Sequence, residues 1–368
     1  THDLSVTRLR PLYRTAADLV QTQGICPMSS AKPMEQIVLA VDIGGTKIAV
    51  AAITTHGQIL SRLIVPTQQK GPESGIQQLI ELLEKIVEQS NLEIKQVLGI
   101  GIGIPAVLEK GTDFIIWGPN LQGWKNVDLR SALEKHFGLP VCIEYDGHTA
   151  ILGEWWMGAA RNYSSAVSII IGTGVGGGLV LDGRLIRGIN RLAGAVGWFV
   201  LDQNSDSDPV KAKALGSWES RTAGPGIANR AMQLLETKPE IHSILAGKDR
   251  KVTAEDVFEA AKQGDKLALM ITSEEAELLG MGIANIVSLV NPEIIVLGGS
   301  VGSNSDLLLP QIKAMVERYA QPISSQSVKI VTSRLGADAG LFGAAYGMML
   351  RLGNDELSLK GGVHNQKD

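Results

Sequence analysis

The chain has little cysteine. Cys26 and Cys142 stand far apart in 368 residues. Such a pair builds neither a disulfide scaffold nor a thiolate metal cluster, and it fits a reducing compartment. Long apolar runs are missing too, since no stretch approaches the ~20 residues that span a bilayer. Thr1 to Arg14 is polar and basic, without the apolar centre of a signal peptide. The expected location is therefore cytoplasmic, with no membrane partner. No single sign of charge dominates: 34 Lys and Arg face 38 Asp and Glu, a net charge of −4. That excludes a strong basic field, and nucleic acid is not an expected partner. No G-x-x-x-x-G-K-[ST] occurs, so a P-loop is excluded. The Asp-rich stretch at 202–214, with Asp202, Asp206 and Asp208, lacks the order of an EF-hand and reads as a surface loop.

What is present suits a globular protein: 44% hydrophobic and 20% charged residues, and length enough for two cores. The apolar run Ile37 to Val41 ends in Asp42. Gly44, Gly45, Thr46 and Lys47 follow, and a second apolar run begins at Ile48. The pattern is strand, tight turn, strand, with a carboxylate beside exposed amides. Such a turn suits a phosphate, with the acid positioning Mg²⁺ or its waters. It equally suits an ordinary hairpin.

The same order recurs later. Ala166 to Ile171 reads as a strand, Gly172 to Gly178 as a glycine-rich turn, Leu179 to Leu181 as a strand, Asp182-Gly183 as a hairpin turn, and Arg184 to Arg187 as a third strand. Gly172, Gly174 and Gly177 match G-x-G-x-x-G, but a strand follows where a dinucleotide fold needs a helix. Two such units imply two similar lobes facing across a cleft, with phosphates between the turns. Two hairpins of one large mixed sheet are the alternative.

Between these units, periodicity predicts a helix over Pro72–Gln89, a buried strand from Val97 to Ile104, loops over 111–130, a helix from Asp128 to His136, a strand over Val141–Tyr145, and a helix from Thr149 to Met157. Later come helices over Ile227–Glu236, after Thr253 as N-cap, over Ser273–Val290 and over Leu307–Tyr319. Strands are expected at Glu293–Leu297 and Val328–Thr332. Gly298-Gly299 at a strand end offers bare backbone to a flat ligand such as adenine. The predicted organisation is an N-terminal extension (1–36, a short helix or two and a linker), a first α/β lobe (37–146), a second (147–337), a last helix (338–352) packing back on the first lobe, and a polar tail (353–368).

Asp42-Ile-Gly-Gly-Thr-Lys47, Gly172-Thr-Gly-Val-Gly-Gly-Gly178, Ile295-Val-Leu-Gly-Gly299 and Asp338-Ala-Gly-Leu-Phe-Gly343 stand in the order of the ROK family, which groups repressors, open reading frames and sugar kinases. The chain resembles that family from about residue 38 to 350. The resemblance implies a duplicated actin-like (ribonuclease-H-like) ATPase fold, two lobes around a cleft. It implies an ATP- and Mg²⁺-dependent sugar kinase, glucokinase-like or N-acylmannosamine-kinase-like, and a homodimer. Asp146 would be the general base. Asp42 would hold Mg²⁺ through water. Gly44, Gly45, Thr46, Lys47, Gly172, Thr173 and Gly174 would cradle phosphates, and Gly298 and Gly299 the adenosine. Asn120, Asp146 and Glu219 would bind the sugar.

Several positions depart from the family. Tyr145 replaces the usual Asn before the base. Gly194-Ala-Val-Gly-Trp198 lacks the Glu and His of the usual sugar and zinc segment. Gly216-Ser-Trp-Glu219 keeps only the Glu, so no zinc site is expected. His136 and His148 are isolated and read as structural. Trp198 and Trp218 could stack on a substrate or fill core, and core filling is the expectation. The alternative function is a non-catalytic, sugar-sensing transcriptional regulator of the same family.

Overall fold

The computed structural model describes residues 35–201 and 216–360. The expected helices of the N-terminal extension, the loop at 202–214 and the end of the polar tail lie outside the described residues.

β1 (Ile37–Ile43), β2 (Lys47–Thr54) and β3 (Ile59–Pro66) form an antiparallel meander. α1 (Pro72–Gln89) follows, with Pro in its first turn and a buried stripe through Leu79, Leu82, Leu83 and Ile86. β4 (Val97–Ile104) then pairs parallel to β1. A small sheet of β5 (Val107–Leu108), β6 (Ile115–Trp117) and β7 (Lys125–Val127) occupies the segment expected as loops. Its strands are too short to display alternation. α2 (Leu129–Phe137) is capped by Asp128, which accepts from the Ser131 amide, and it stops at Gly138 in the left-handed region. β8 (Val141–Tyr145) completes the first sheet, ordered β3-β2-β1-β4-β8.

α3 (Asp146–Trp156) leads to a second sheet built from β9 (Ala166–Ile171), β10 (Val175–Leu181), β11 (Arg184–Ile186), β12 (Ile294–Gly298) and β13 (Lys329–Thr332). Its order is β11-β10-β9-β12-β13. Again three strands run antiparallel and two are added parallel to the first. The two sheets have one topology, so the fold is duplicated, the actin-like α/β architecture with two lobes around a cleft.

The other helices are α4 (Ser217–Thr222), α5 (Gly224–Thr237), α6 (Ala254–Lys262), α7 (Lys266–Val290), α8 (Gly299–Gly302), α9 (Ser305–Tyr319), α10 (Pro322–Ser327) and α11 (Ala339–Lys360). Thr253 caps α6 in a reciprocal box with Asp256. α7 begins seven residues before the expected Ser273, capped by Asp265. The added turns bury Leu267, Ala268, Ile271 and Thr272. α11 continues beyond Gly353, through part of the expected tail.

Alternation along β1 sorts the core. Ile37, Leu39, Val41 and Ile43 cluster with the α1 stripe, while Val38 and Ala40 face Leu341, Ala344, Ala345 and Met348 of α11. α3 buries Ile151 against Val180 and Val296 of the second sheet. Each sheet thus sends its following helix onto the other sheet. The two exchanged helices cross closely: a Cβ at Gly343 would lie 1.6 Å from the Thr149 carbonyl oxygen, and one at Gly153 lies 2.1 Å from that of Ala339. No side chain fits at either glycine.

Candidate active site

The parallel strands β1, β4 and β8 end along one edge, with Asp42, Gly103 and Glu144 in register across them. Asp42 is the penultimate residue of β1, and its turn is closed by the Gly44 amide on the Lys47 carbonyl at 2.8 Å. Asp146 opens α3, two residues past Glu144. Its Oδ1 accepts from the Gly147 amide at 2.8 Å. Asp42 also faces the start of α11, where a Cβ at Gly340 would lie 2.6 Å from its carboxyl group.

The carboxyls of Asp42 and Asp146 feel each other. Burial pushes Asp42 up to about 7, the charge of Asp146 adds to this, and Lys47 opposes it. Burial pushes Asp146 up to about 6; the Gly147 amide opposes the rise and the charge of Glu219 adds to it. Glu219, on α4, is raised by burial against one stabilising contact, its Oε2 accepting from the Val175 amide at 2.7 Å. The Tyr145 phenol is also raised, by burial and then by the charges of Asp146 and Glu219. Three carboxylates and a phenol therefore share one partly desolvated space.

In the second half, β9 and β12 are parallel neighbours, and Gly298 lies opposite Ile170. The turn Gly172–Gly174 is held by the Gly172 amide on the Gly174 carbonyl, 2.9 Å, and by the Gly224 amide on the Gly172 carbonyl, 2.8 Å. Thr173 is exposed at its tip. Gly299, with φ 81°, brings its backbone to the end of β9, where a Cβ would meet the Ile171 carbonyl oxygen at 2.2 Å. Gly172, Gly174, Gly298 and Gly299 thus gather at adjoining strand ends, a usual ligand position in open α/β sheets.

The glycine turn expected over 172–178 is shorter than that. β10 starts at Val175, so Gly176, Gly177 and Gly178 are strand residues. Their role is packing: a Cβ at Gly178 would lie 2.2 Å from the Gly147 carbonyl oxygen, and one at Gly147 would lie 2.1 Å from that of Gly177. These glycines seat the helix that carries Asp146 directly on the second sheet.

Asn120 lies against the first turn, its backbone oxygen 3.1 Å from the Cβ position of Gly45. The altered segment Gly194–Trp198 is held by His148, whose buried ring nitrogen Nε2 is 3.1 Å from the Ala193 carbonyl oxygen. Trp218 is buried as expected, with its indole N–H on the Leu278 carbonyl at 3.1 Å. Trp198 corrects the expectation of core filling, since it is 53% exposed. The short 3₁₀ turn Val196–Trp198 buries Val196 and turns the indole outward. Among the described residues, no group of three or more His, Cys, Asp or Glu gathers as a metal site.

A buried ionic network was not visible in the sequence. Asp113 pairs with Arg191 and with Arg351 (2.6 Å), while Glu144 pairs with Arg187 (2.6 Å) and Arg191 (3.1 Å). Burial raises the Glu144 carboxyl, but His148, Arg187 and Arg191 overcome it and hold it down to about 2. The network fixes the strand that delivers Asp146. Its members are scattered over more than 200 residues, and only the fold brings them together.

Among known proteins, residues 38–349 match the model of the ROK family. A glucokinase of Halalkalibacterium halodurans is 34% identical over 84% of this chain and 93% of its own length. A xylose repressor of Caldicellulosiruptor bescii is 28% identical over 83% of this chain and 76% of its own. The crystal structure of a ROK family glucokinase from Streptomyces griseus, in complex with glucose and AMPPNP, superposes with a TM-score of 0.72 at 28% identity, over 84% of this chain and 98% of that one.

Proposed function

The chain belongs to the ROK family, and from that premise we propose that it is an ATP-dependent kinase acting on a hydroxyl of a hexose or an N-acylated amino sugar. The observation that carries this is the pairing of a desolvated Asp146 with two glycine turns at the ends of equivalent strands.

In this reading Asp146 accepts the proton of the attacking hydroxyl. The sugar oxygen forms its bond to the γ-phosphorus as the bond to the β-phosphate oxygen breaks, and ADP leaves. The turns Gly44–Lys47 and Gly172–Gly174 hold the phosphates, the first through the amides of Gly45 and Thr46, with Thr173 at the tip of the second. Gly298 and Gly299 pack on the adenosine. Asn120 and Glu219 orient the sugar. The Asp42 carboxylate, an oxygen donor beside the phosphate turn, fits Mg²⁺ held through water, which when bound neutralises charge on the transferred group. Among the described residues no imidazole or thiolate joins it, which suits a hard cation. The functional assembly is a homodimer.

A coupled ADP-release assay over a panel of hexoses and N-acyl hexosamines tests this. Turnover with one sugar class is the expected result, and the absence of turnover with any of them sinks it. A sugar-sensing regulator is the second reading. It is favoured by Ala195 and Trp198 in the sugar segment and by the xylose repressor relative. Salt-sensitive, sequence-specific DNA binding released by sugar would establish it.

A further inference from the structure

We propose that Thr67 and Gln69 are positioning residues that aim the amides of Gly45 and Thr46 at a nucleotide phosphate, and that Gln69 ties this turn to the loop of Asn120. The inference rests on the phosphate reading of the first turn and names what keeps that turn in shape.

Residues 67–69 follow β3, whose last residue, Pro66, lies opposite Lys47. Three successive carbonyls of the turn are taken by this one segment. The Thr67 hydroxyl donates to the Gly44 carbonyl at 2.7 Å, the Gln69 amide Nε2 to that of Gly45 at 2.5 Å, and the Thr67 backbone amide to that of Thr46 at 3.0 Å. In a planar trans peptide the carbonyl and the following N–H point in opposite directions. Holding the Gly44 carbonyl on the strap therefore turns the Gly45 N–H away from it, and holding the Gly45 carbonyl does the same for Thr46. Among the described residues, neither amide donates a hydrogen bond. Two adjacent free amides turned the same way form a concavity for an anion.

The strap is fixed from behind. The buried Gln78 of α1 donates to the Pro66 carbonyl at 2.9 Å and accepts from the Gln68 amide at 3.1 Å. Ser74 donates to Gln68 Oε1 at 2.7 Å. Side chains thus alternate along the extended segment: 67 and 69 go to the turn, 68 goes to the helix. Gln69 has a second engagement. Its Oε1 accepts from the Gln122 amide at 2.9 Å, and its Nε2 is 3.5 Å from the Asn120 carbonyl. One side-chain amide therefore touches both the phosphate turn and the loop assigned to the sugar.

Thr67→Val removes the hydroxyl and keeps the shape and the backbone bond. Gln69→Met keeps the length of the side chain, adds no charge, and loses both the donor for Gly45 and the acceptor for Gln122. Calorimetric titration with Mg²⁺·AMPPNP and with AMP is the test. Each variant is expected to bind AMPPNP about fivefold to tenfold more weakly, the scale of one hydrogen bond. AMP binding stays within about twofold, since AMP lacks the outer phosphates, and Thr67→Ser restores AMPPNP binding. Gln69→Met raises the KM of the sugar and Thr67→Val does not. AMPPNP affinities unchanged in both variants, or AMP weakened as much as AMPPNP, overturn the proposal; equal effects on sugar KM overturn the link to Asn120. A chain that turns over no sugar, yet loses AMPPNP affinity in Thr67→Val, defeats the kinase reading and leaves this inference standing. A chain that binds no AMPPNP defeats both.

Discussion

Replacing Asp146 by Asn separates chemistry from stability at one carboxyl. Asn is nearly isosteric, and its oxygen can still accept from the Gly147 amide as Asp146 Oδ1 does. Burial lifts the Asp146 carboxyl from an ordinary 3.8 to about 6. Two units correspond to about 3 kcal/mol at 1.36 kcal/mol per unit, and residual contact with solvent brings this to about 2–3 kcal/mol. The sign follows from proton binding. The folded protein holds this proton more tightly than the unfolded chain does. Relative to Asn, the carboxyl therefore costs nothing below about pH 4, costs progressively more up to about pH 6, and keeps the full cost above it. Removing its charge also relieves Asp42, for which Asp146 is the second cause of a raised value after burial. Asp146→Asn should then melt above the parent at pH 8, with the gap closing by pH 4. Its kcat should fall by roughly 10²–10⁴, the usual contribution of a general base. The parent's kcat/KM should fall by at least tenfold per pH unit below about 6 and level off only above about 7, where Asp42 is ionised as well. Melting curves at pH 4, 6 and 8 and initial rates over the same range are the assay. A variant that keeps its activity refutes the base. A variant no more stable than the parent at pH 8 refutes the burial argument, whatever the rates do.

Four further perturbations probe the frame around this site. Gly340→Ala puts a methyl 2.6 Å from the Asp42 carboxyl and should cost about 1–3 kcal/mol in urea unfolding as well as activity. Gly353→Ala on the same helix meets nothing within 4 Å and should be neutral or stabilising by up to about 1 kcal/mol. Arg191→Met strips a shared partner from the buried Asp113 and Glu144 and should destabilise by about 3 kcal/mol, measured by the same unfolding. Trp198→Ala removes an indole that is 53% exposed; stability should stay within about 0.5 kcal/mol, while the KM of the sugar rises, since the segment that carries Trp198 lies over Glu219.

Elements bounded by apolar pattern and punctuation were readable from sequence. The helix over Pro72–Gln89 and the strands Val141–Tyr145 and Ala166–Ile171 are observed at the expected residues. Each is set by its own side chains. The start of α3 was not readable. Asp146-Gly147 looks like a turn locally, and Tyr145 offers no side-chain cap. The helix starts there because Gly147 seats on Gly177 and Gly178, contacts made across thirty residues. Gly176, Gly177 and Gly178 carried the same signal as Gly172 and Gly174, and composition cannot separate glycines that admit a ligand from glycines that admit a helix. The carboxylates of Asp42, Asp146 and Glu219 were each legible as candidates. Their mutual influence was not, because it depends on how far the fold removes them from water. Trp198 misled for the same reason: a lone indole does not say which way its turn faces.

The exchange of helices explains why the two aspartates sit where they do. α3 leaves the first sheet at Asp146 and lies on the second; α11 leaves the second sheet and lies on the first, with Gly340 against Asp42. Asp146 therefore stands where the chain passes from one sheet to the other, and Asp42 stands beside the start of the returning helix. Glycines at 153 and 343 let these passing helices touch backbone to backbone, a contact that can roll without side chains unlocking. The duplicated topology thus puts both aspartates beside the helix crossing, Asp146 one turn before Thr149 and Asp42 against Gly340.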